Sequence, residues 1–252
     1  MNEQSFVLFM YCWIGMAILL LPIQLFITAP YGRHYSNRWG PRMDNRWGWI
    51  IMEAVSPLIL AISFLTGSGD KPMITWIAFG LWMAHYINRT LIYPLRTRTA
   101  GKVIPMFIVG SAISFNGING WSNGTYLGST WASYPDTWLT DSRFIIGLAV
   151  FLIGAAINLW ADHRLLNLRK PGEGGYVIPR GGLFERISCP NHFGEIIEWT
   201  GFAILCWNLP ATAFAIWTAA NLIPRAIAHH RWYKSRFADY PGARKALIPF
   251  LV

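Results

Sequence analysis

Apolar runs alternate with short, polar, basic segments along the whole chain, and several are long enough to cross a bilayer. About 20 helical residues at 1.5 Å each match a hydrocarbon core of about 30 Å. Phe6 to Ala29 is the first such run, and Gly48 to Phe64 the second, interrupted by Glu53 and Pro57. Pro72 to Tyr93 is the third and turns polar at its end, through His85, Tyr86, Asn88 and Arg89. Val103 to about Phe115 opens a fourth; the Gly-, Asn- and aromatic-rich stretch Asn116 to Thr140 follows it without a basic residue. Arg143 to about Leu165 is a fifth, with Asn158 and Asp162 inside it. Pro190 stops the preceding Gly/Pro loop, and a helical pattern starts near Asn191, a good cap residue. That short sixth run ends at Leu209-Pro210, and Ala211 to about Ala228 is the seventh.

Charge orients these runs. With the N-terminus outside, every Lys and Arg except Lys71 and Arg143 falls on the inner side. This bias predicts an all-α, multi-pass membrane protein of seven transmembrane helices, N-terminus out and C-terminus in. The net charge of +9 is therefore topological, with no nucleic-acid signature and no obligate protein partner implied. Composition agrees: 54% of residues are hydrophobic and 13% charged, against about 25% charged in soluble domains. The leader MNEQS has no basic residue, so a cleaved signal peptide is not expected. Cys12, Cys189 and Cys206 form no CxxC pair, and the six histidines lack the spacing of a zinc motif. No metal is expected. No GxSxG or Ser/His/Asp pattern argues for a hydrolase.

Polar residues inside apolar runs are costly and mark candidate sites. At about 100° per residue, Asn191, Glu195, Glu198 and Phe202 share about 60° of one helix face. They read as a polar pocket or as acids capping a helix start. Asn158, Asp162 and Arg169 lie within about 40°, as a polar wall or a helix-end ion pair. Arg225, His229, Tyr233 and Arg236 carry a stripe from the seventh run into the tail, where the alternative is a snorkelling anchor. Neither GEGGY (Gly172 to Tyr176) nor GINGWSNG (Gly117 to Gly124) sits between a strand and a helix as a Rossmann fingerprint would, and their glycines read as turns.

GGLF (Gly181 to Phe184), Asn191 and GEIIEW (Gly194 to Trp199) stand at the spacing found in the C-terminal domain of the steroid 5α-reductase family, which the chain resembles. RKPGE (Arg169 to Glu173) and DYPGARKALIPF (Asp239 to Phe250) extend the resemblance, which reaches back more weakly to about Arg46. The resemblance implies an NADPH-dependent reductase of a 3-oxo-4-ene steroid or similar apolar enone drawn from the bilayer. It assigns Glu53 and Tyr86 to the substrate ketone. It assigns Asn119, Asn158, Asp162, Arg169, Asn191, Glu195, Arg225, His229 and Tyr233 to the cofactor, with Arg244 ordering the tail. Residues 1–115 would then be a substrate-side part and residues 142–252 a cofactor part of one membrane domain, in a bacterial inner membrane or the endoplasmic reticulum. Met52 stands where many relatives carry Gln, Ser111 where vertebrate-type members carry Arg, and Leu166 at another basic position. An isoprenylcysteine-type membrane methyltransferase and a lipid-binding or transport protein are the alternatives. The second would need inverted repeats, of which none is seen.

Overall fold

Each of the seven apolar runs coincides with a helix in the computed structural model, which describes residues 1–168 and 175–251. In chain order the elements are α1 (Glu3–Phe26), β1 (Arg42–Asp44), α2 (Asn45–Thr66), α3 (Met73–Ile87), a π-helical turn (Asn88–Ile92), α4 (Tyr93–Arg96), β2 (Val103–Pro105), α5 (Met106–Gly128), α6 (Ser142–Leu166), α7 (Pro190–Cys206) and α8 (Leu209–Arg236). The protein is mostly helical. By length and composition, α1, α2 and α6 suffice to cross a membrane.

The structure departs from the sequence reading in four places. First, residues 116–128 continue α5 as helix, so GINGWSNG is a packing face and not a set of turns. Second, α7 begins at Pro190, with Cys189 rather than Asn191 as its cap residue. Proline suits a first helical turn because its missing N–H would have had no helical partner there. Third, β1 and β2 form a two-stranded antiparallel pair that pins the start of α2 to the start of α5, where the pattern predicts helices alone. Fourth, α7 stops at Cys206, where Trp207 takes a left-handed conformation, and Asn208 then accepts a hydrogen bond from the Ala211 N–H at 2.9 Å to start α8.

By internal contacts the chain forms two compact units. The first comprises Met1–Phe6, Ala29–Ile145 and Asn208–Ala211; the second comprises Val7–Thr28, Ile146–Trp207 and Thr212–Val252.

In the first unit α2 and α5 run parallel in direct backbone contact. A Cβ on Gly120, Gly124 or Gly128 would lie 2.5, 2.6 and 2.5 Å from the carbonyl oxygens of Ser56, Leu60 and Phe64 respectively. Only glycine permits that approach. Antiparallel α3 packs on the same pair, with the Trp82 indole N–H donating to Ser56 Oγ at 3.2 Å. Pro57 lies inside α2 and has no N–H to give to the carbonyl of Glu53, one turn earlier. The Asp44 carboxylate caps α2, accepting from the N–H groups of Arg46 and Trp47 at 2.9 and 3.1 Å.

The second unit uses the same device in antiparallel form. Gly147 and Gly154 of α6 meet the backbone of α7 at Leu205 and Glu198. In return Gly201 and Gly194 of α7 meet α6 at Phe151 and Asn158. Trp199 fills the space beside this seam, 1% exposed among Phe151, Phe202 and Phe214. On the other side α1 joins α8 through the Trp217 indole N–H, which donates to the Trp13 carbonyl at 3.0 Å.

A side chain forced into such a seam has to push two backbones apart. Gly154→Val should destabilise the protein by about 1–3 kcal/mol, the range for overpacking a tight interior. Gly80→Ala is the control, because a Cβ at Gly80 of α3 meets nothing within 4 Å. Thermal unfolding in detergent should show a lowered midpoint for the first variant and none for the second. Equal midpoints would show that the seam yields.

Candidate active site

Four residues singled out by helical periodicity meet directly. The antiparallel register of α6 and α7 brings Asn158 and Asp162 opposite Glu195 and Asn191, one turn beyond the glycine contacts. The Asn158 amide N–H₂ donates to the Asn191 carbonyl at 3.0 Å and to Glu195 Oε2 at 3.3 Å. The Asn191 side-chain amide donates to Asp162 Oδ1 at 3.2 Å. Asp162, Asn191, Asn158 and Glu195 thus form one continuous chain of hydrogen-bonding groups, with Asn158 and Asp162 buried. Asn191 turns toward α6 and leaves its own helix start uncapped. Glu198, one turn further along the stripe, is buried at the level of Gly154.

The α8 stripe approaches the start of α7. The His229 ring packs against His192, centroids 5.7 Å apart, and Arg225 lies one turn earlier on the same face. Its neighbour His230 points elsewhere, as an offset of about 100° requires. Its Nδ1 lies 2.6 Å from Ser188 Oγ, which is also 2.6 Å from the Tyr240 hydroxyl and gives its proton to the Lys245 carbonyl at 3.0 Å. A hydroxyl has one proton to give, so both His230 Nδ1–H and the Tyr240 O–H donate to Ser188. Burial, then the charges of Lys234, Arg244 and Lys245, lower the His230 pKa and favour this neutral form. Tyr233 is buried in the same corner, its ring 5.3 Å from that of Tyr240 and inclined by 8°.

This corner ties the tail down. The N–H groups of Ser188 and Cys189 donate to the carbonyls of Lys245 and Ala246 at 2.8 and 3.2 Å, and the Lys245 N–H donates to the Arg186 carbonyl at 2.9 Å. Arg244 is 1% exposed. Its Nη1 donates to the Pro179 carbonyl at 3.2 Å, and its guanidinium lies 5.0 Å from the Tyr240 ring centre. DYPGARKALIPF, distant in sequence, therefore returns to the segment between GGLF and GEIIEW, and Ile196 of GEIIEW packs against the cluster that holds Ala246 and Leu247. Arg169 and RKPGE lie outside the described residues.

In the first unit Tyr86 is buried on α3, stacked on Trp82 at 5.5 Å and 22°. Its hydroxyl donates to Asn116 Oδ1 at 3.3 Å, and the Asn116 amide N–H₂ donates to the Met52 carbonyl at 2.7 Å. Glu53 follows Met52 on α2, so this bridge sets Tyr86 and Glu53 at one level of the unit. Glu53 is half-buried. The π-helical turn begins two residues after Tyr86, and the Arg89 guanidinium there lies over Trp49 and Tyr93, at 5.2 and 5.0 Å. Asn119, also of this unit, is buried on α5 and donates to the Phe115 carbonyl of its own helix at 2.8 Å.

Sequence reasoning does not find Asn116, Ser188, His230 or Tyr240. For Asn116 the one available signal is an asparagine three residues before Asn119, and it counts only if GINGWSNG is helical.

Amides, carboxylates and a phenol buried within helix pairs this apolar define a helical membrane protein built around internal polar sites. A sequence model of the family described as 3-oxo-5-alpha-steroid 4-dehydrogenase matches residues 102–252. The "3-oxo-5-alpha-steroid 4-dehydrogenase 1" of Macaca fascicularis is 41% identical over 245 residues, covering 96% of this chain and 92% of the relative. "Steroid 5-alpha-reductase DET2" of Gossypium hirsutum is 41% identical over 261 residues, covering 97% of each. The Bos taurus "3-oxo-5-alpha-steroid 4-dehydrogenase 1" is 43% identical over 231 residues, 90% of this chain and 89% of the relative. The chain belongs to the 3-oxo-5-alpha-steroid 4-dehydrogenase, or steroid 5α-reductase, family and is an oxidoreductase acting on a carbon–carbon double bond.

Proposed function

We propose that the protein reduces the 4,5 double bond of a 3-oxo-4-ene steroid or similar apolar enone, with NADPH as the donor. The observation that carries the reading is identity of about 40% along nearly the whole chain to relatives named for that reaction. Those names speak against methyl transfer and transport.

The residues fit the cofactor by their chemistry. The Asp162, Asn191, Asn158 and Glu195 chain offers carboxylates and amides suited to ribose hydroxyls and a carboxamide. Arg225, and Arg169 beyond the described residues, suit phosphates through bidentate, charge-assisted hydrogen bonds. His229 and Tyr233 complete the set on α8. When bound, NADPH supplies a hydride for the β-carbon of the enone.

The chain's own work lies at the ketone. As the β-carbon is reduced, negative charge collects on the carbonyl oxygen. Tyr86 donates its phenolic proton there, and Glu53, in its acid form, is the second donor. Two donors aimed at a developing oxyanion are worth most where water is excluded, and losing one costs roughly a hundredfold to a thousandfold in rate. Tyr86 and Glu53 lie at one level in an apolar unit, which suits this role. A proton taken up at the α-carbon completes the reduction.

The substrate is apolar and reaches the enzyme from the bilayer. We place seven spans in that bilayer, N-terminus out and C-terminus in, on the segregation of basic residues.

Two experiments test these readings. With purified protein, NADPH and progesterone as the enone, Glu53→Gln should bind NADPH normally but turn over more slowly, with Glu53→Ala and Tyr86→Phe slower still. Parent turnover in folded Glu53→Ala and Tyr86→Phe would remove both residues from the ketone. For topology, single cysteines at Ser133 and Ser235, both exposed, should react with an impermeant thiol reagent from opposite faces of sealed vesicles. Reaction from one face only would refute the seven-span arrangement.

A further inference from the structure

Asn116 is buried, 4% exposed, in the middle of α5, and it bonds both the Tyr86 hydroxyl and the carbonyl of Met52, the residue before Glu53. A backbone carbonyl can only accept a hydrogen bond. The 2.7 Å contact with the Met52 carbonyl therefore fixes the amide nitrogen of Asn116 on that side, and its oxygen must face Tyr86. The 3.3 Å contact there is one in which the phenol gives and the amide oxygen receives. Trp82 meanwhile holds the ring, stacked on it at 5.5 Å and itself anchored through its indole N–H to Ser56 Oγ.

We infer that Asn116 is a positioning residue for reduction: it holds the phenolic proton of Tyr86 at rest and surrenders it to the substrate oxygen as charge develops there. The inference rests on the assignment of Tyr86 to the ketone. A neutral ketone competes poorly with an amide oxygen for that proton. An oxygen gaining negative charge is a charge-assisted acceptor, roughly twice as strong as a neutral one. The hydrogen bond to substrate is then stronger in the transition state than in the ground state, which is the condition for raising kcat rather than tightening binding. The Met52 carbonyl precedes Glu53 on α2, so the same amide holds the helix that carries the second donor.

A loss of orientation without loss of the phenol should resemble a misplacement of about 1 Å, which costs on the order of a hundredfold in rate. Asn116→Leu, close in volume and unable to hydrogen-bond, should lower kcat with progesterone by that factor. It should leave the dissociation constant for NADPH within about twofold and should not raise the KM for progesterone. Asn116→Asp in its neutral acid form keeps one acceptor and one donor and should recover most of kcat. If Asn116→Leu does not fold, Asn116→Ala serves in its place.

The decisive comparison uses a Tyr86→Phe background. There the effect on kcat of removing Asn116 should shrink to about twofold or less, because groups that act through one another are not additive. A full hundredfold loss in that background, or a parent kcat in folded Asn116→Leu, would overturn the inference. A raised KM and weakened NADPH binding in parallel with kcat would also overturn it, by reducing Asn116 to a packing residue. If Tyr86→Phe alone turned over at the parent rate, the prior assignment of Tyr86 would fail instead, and this inference with it.

Discussion

Backbone-to-backbone contact at glycine sets how closely the helices approach, with a Cβ at Gly120, Gly154 or Gly194 coming within 2.5 Å of the facing helix backbone. Between apolar helices in a membrane, burial of apolar surface gives little reason to associate, because lipid tails are as apolar as leucine. Close packing and interhelical hydrogen bonds remain, and both need the helix axes near each other. Gly154 and Gly194 bring α6 and α7 near enough for the short side chains of Asn158 and Asn191 to reach across. Gly120, Gly124 and Gly128 do the same for α5 on α2, and Asn116 reaches the Met52 carbonyl one turn before that ladder starts. Polar groups that would each cost several kcal/mol if left unpaired in hydrocarbon are tolerated there as linked sets.

The second organising feature is the tail. Chain that leaves α8 returns to pair with the segment just before α7, through Arg186, Ser188, Cys189, Lys245 and Ala246. A buried Arg244 and the Ser188, His230 and Tyr240 set lock that return. Here charge serves order. Arg244 satisfies a backbone carbonyl and lies on an aromatic face, so removing it would leave more than one group without a partner. The tail thereby fixes the end of α8 that carries His229 and Tyr233, and it brings DYPGARKALIPF, distant in sequence, against the segment just before α7.

Much of this is legible in the sequence. Hydropathy marks each long helix, and a period of 3.6 puts Asn158 and Asp162 on one face and Asn191 and Glu195 on another. The convergence of those faces follows from that spacing once α6 and α7 are known to be antiparallel. Glycines and asparagines of a tight helix seam look the same in sequence as those of ordinary turns, which is why residues 116–128 read as irregular. Local propensity penalises glycine in helices, and only a facing backbone makes it the favoured residue. Asn116 is hidden for that reason. The Ser188 to Tyr240 link is hidden for a different one, since its partners are joined by a long-range return that no local period encodes. The strands β1 and β2 are three residues each and depend on each other across the length of α2 to α4.

Hydride transfer from NADPH to the β-carbon of a 3-oxo-4-ene steroid is the chemistry proposed for this chain. The most direct test is to incubate the purified protein with progesterone and NADPH carrying deuterium at the nicotinamide C4, with each C4 face labelled in turn, and to locate the label in the product by NMR. The product should be a 4,5-saturated ketone with deuterium at C5 from one of the two labelled cofactors, and hydrogen from water at C4. Deuterium at C4 of the steroid, or a reduced product unlabelled by either cofactor, would contradict that chemistry.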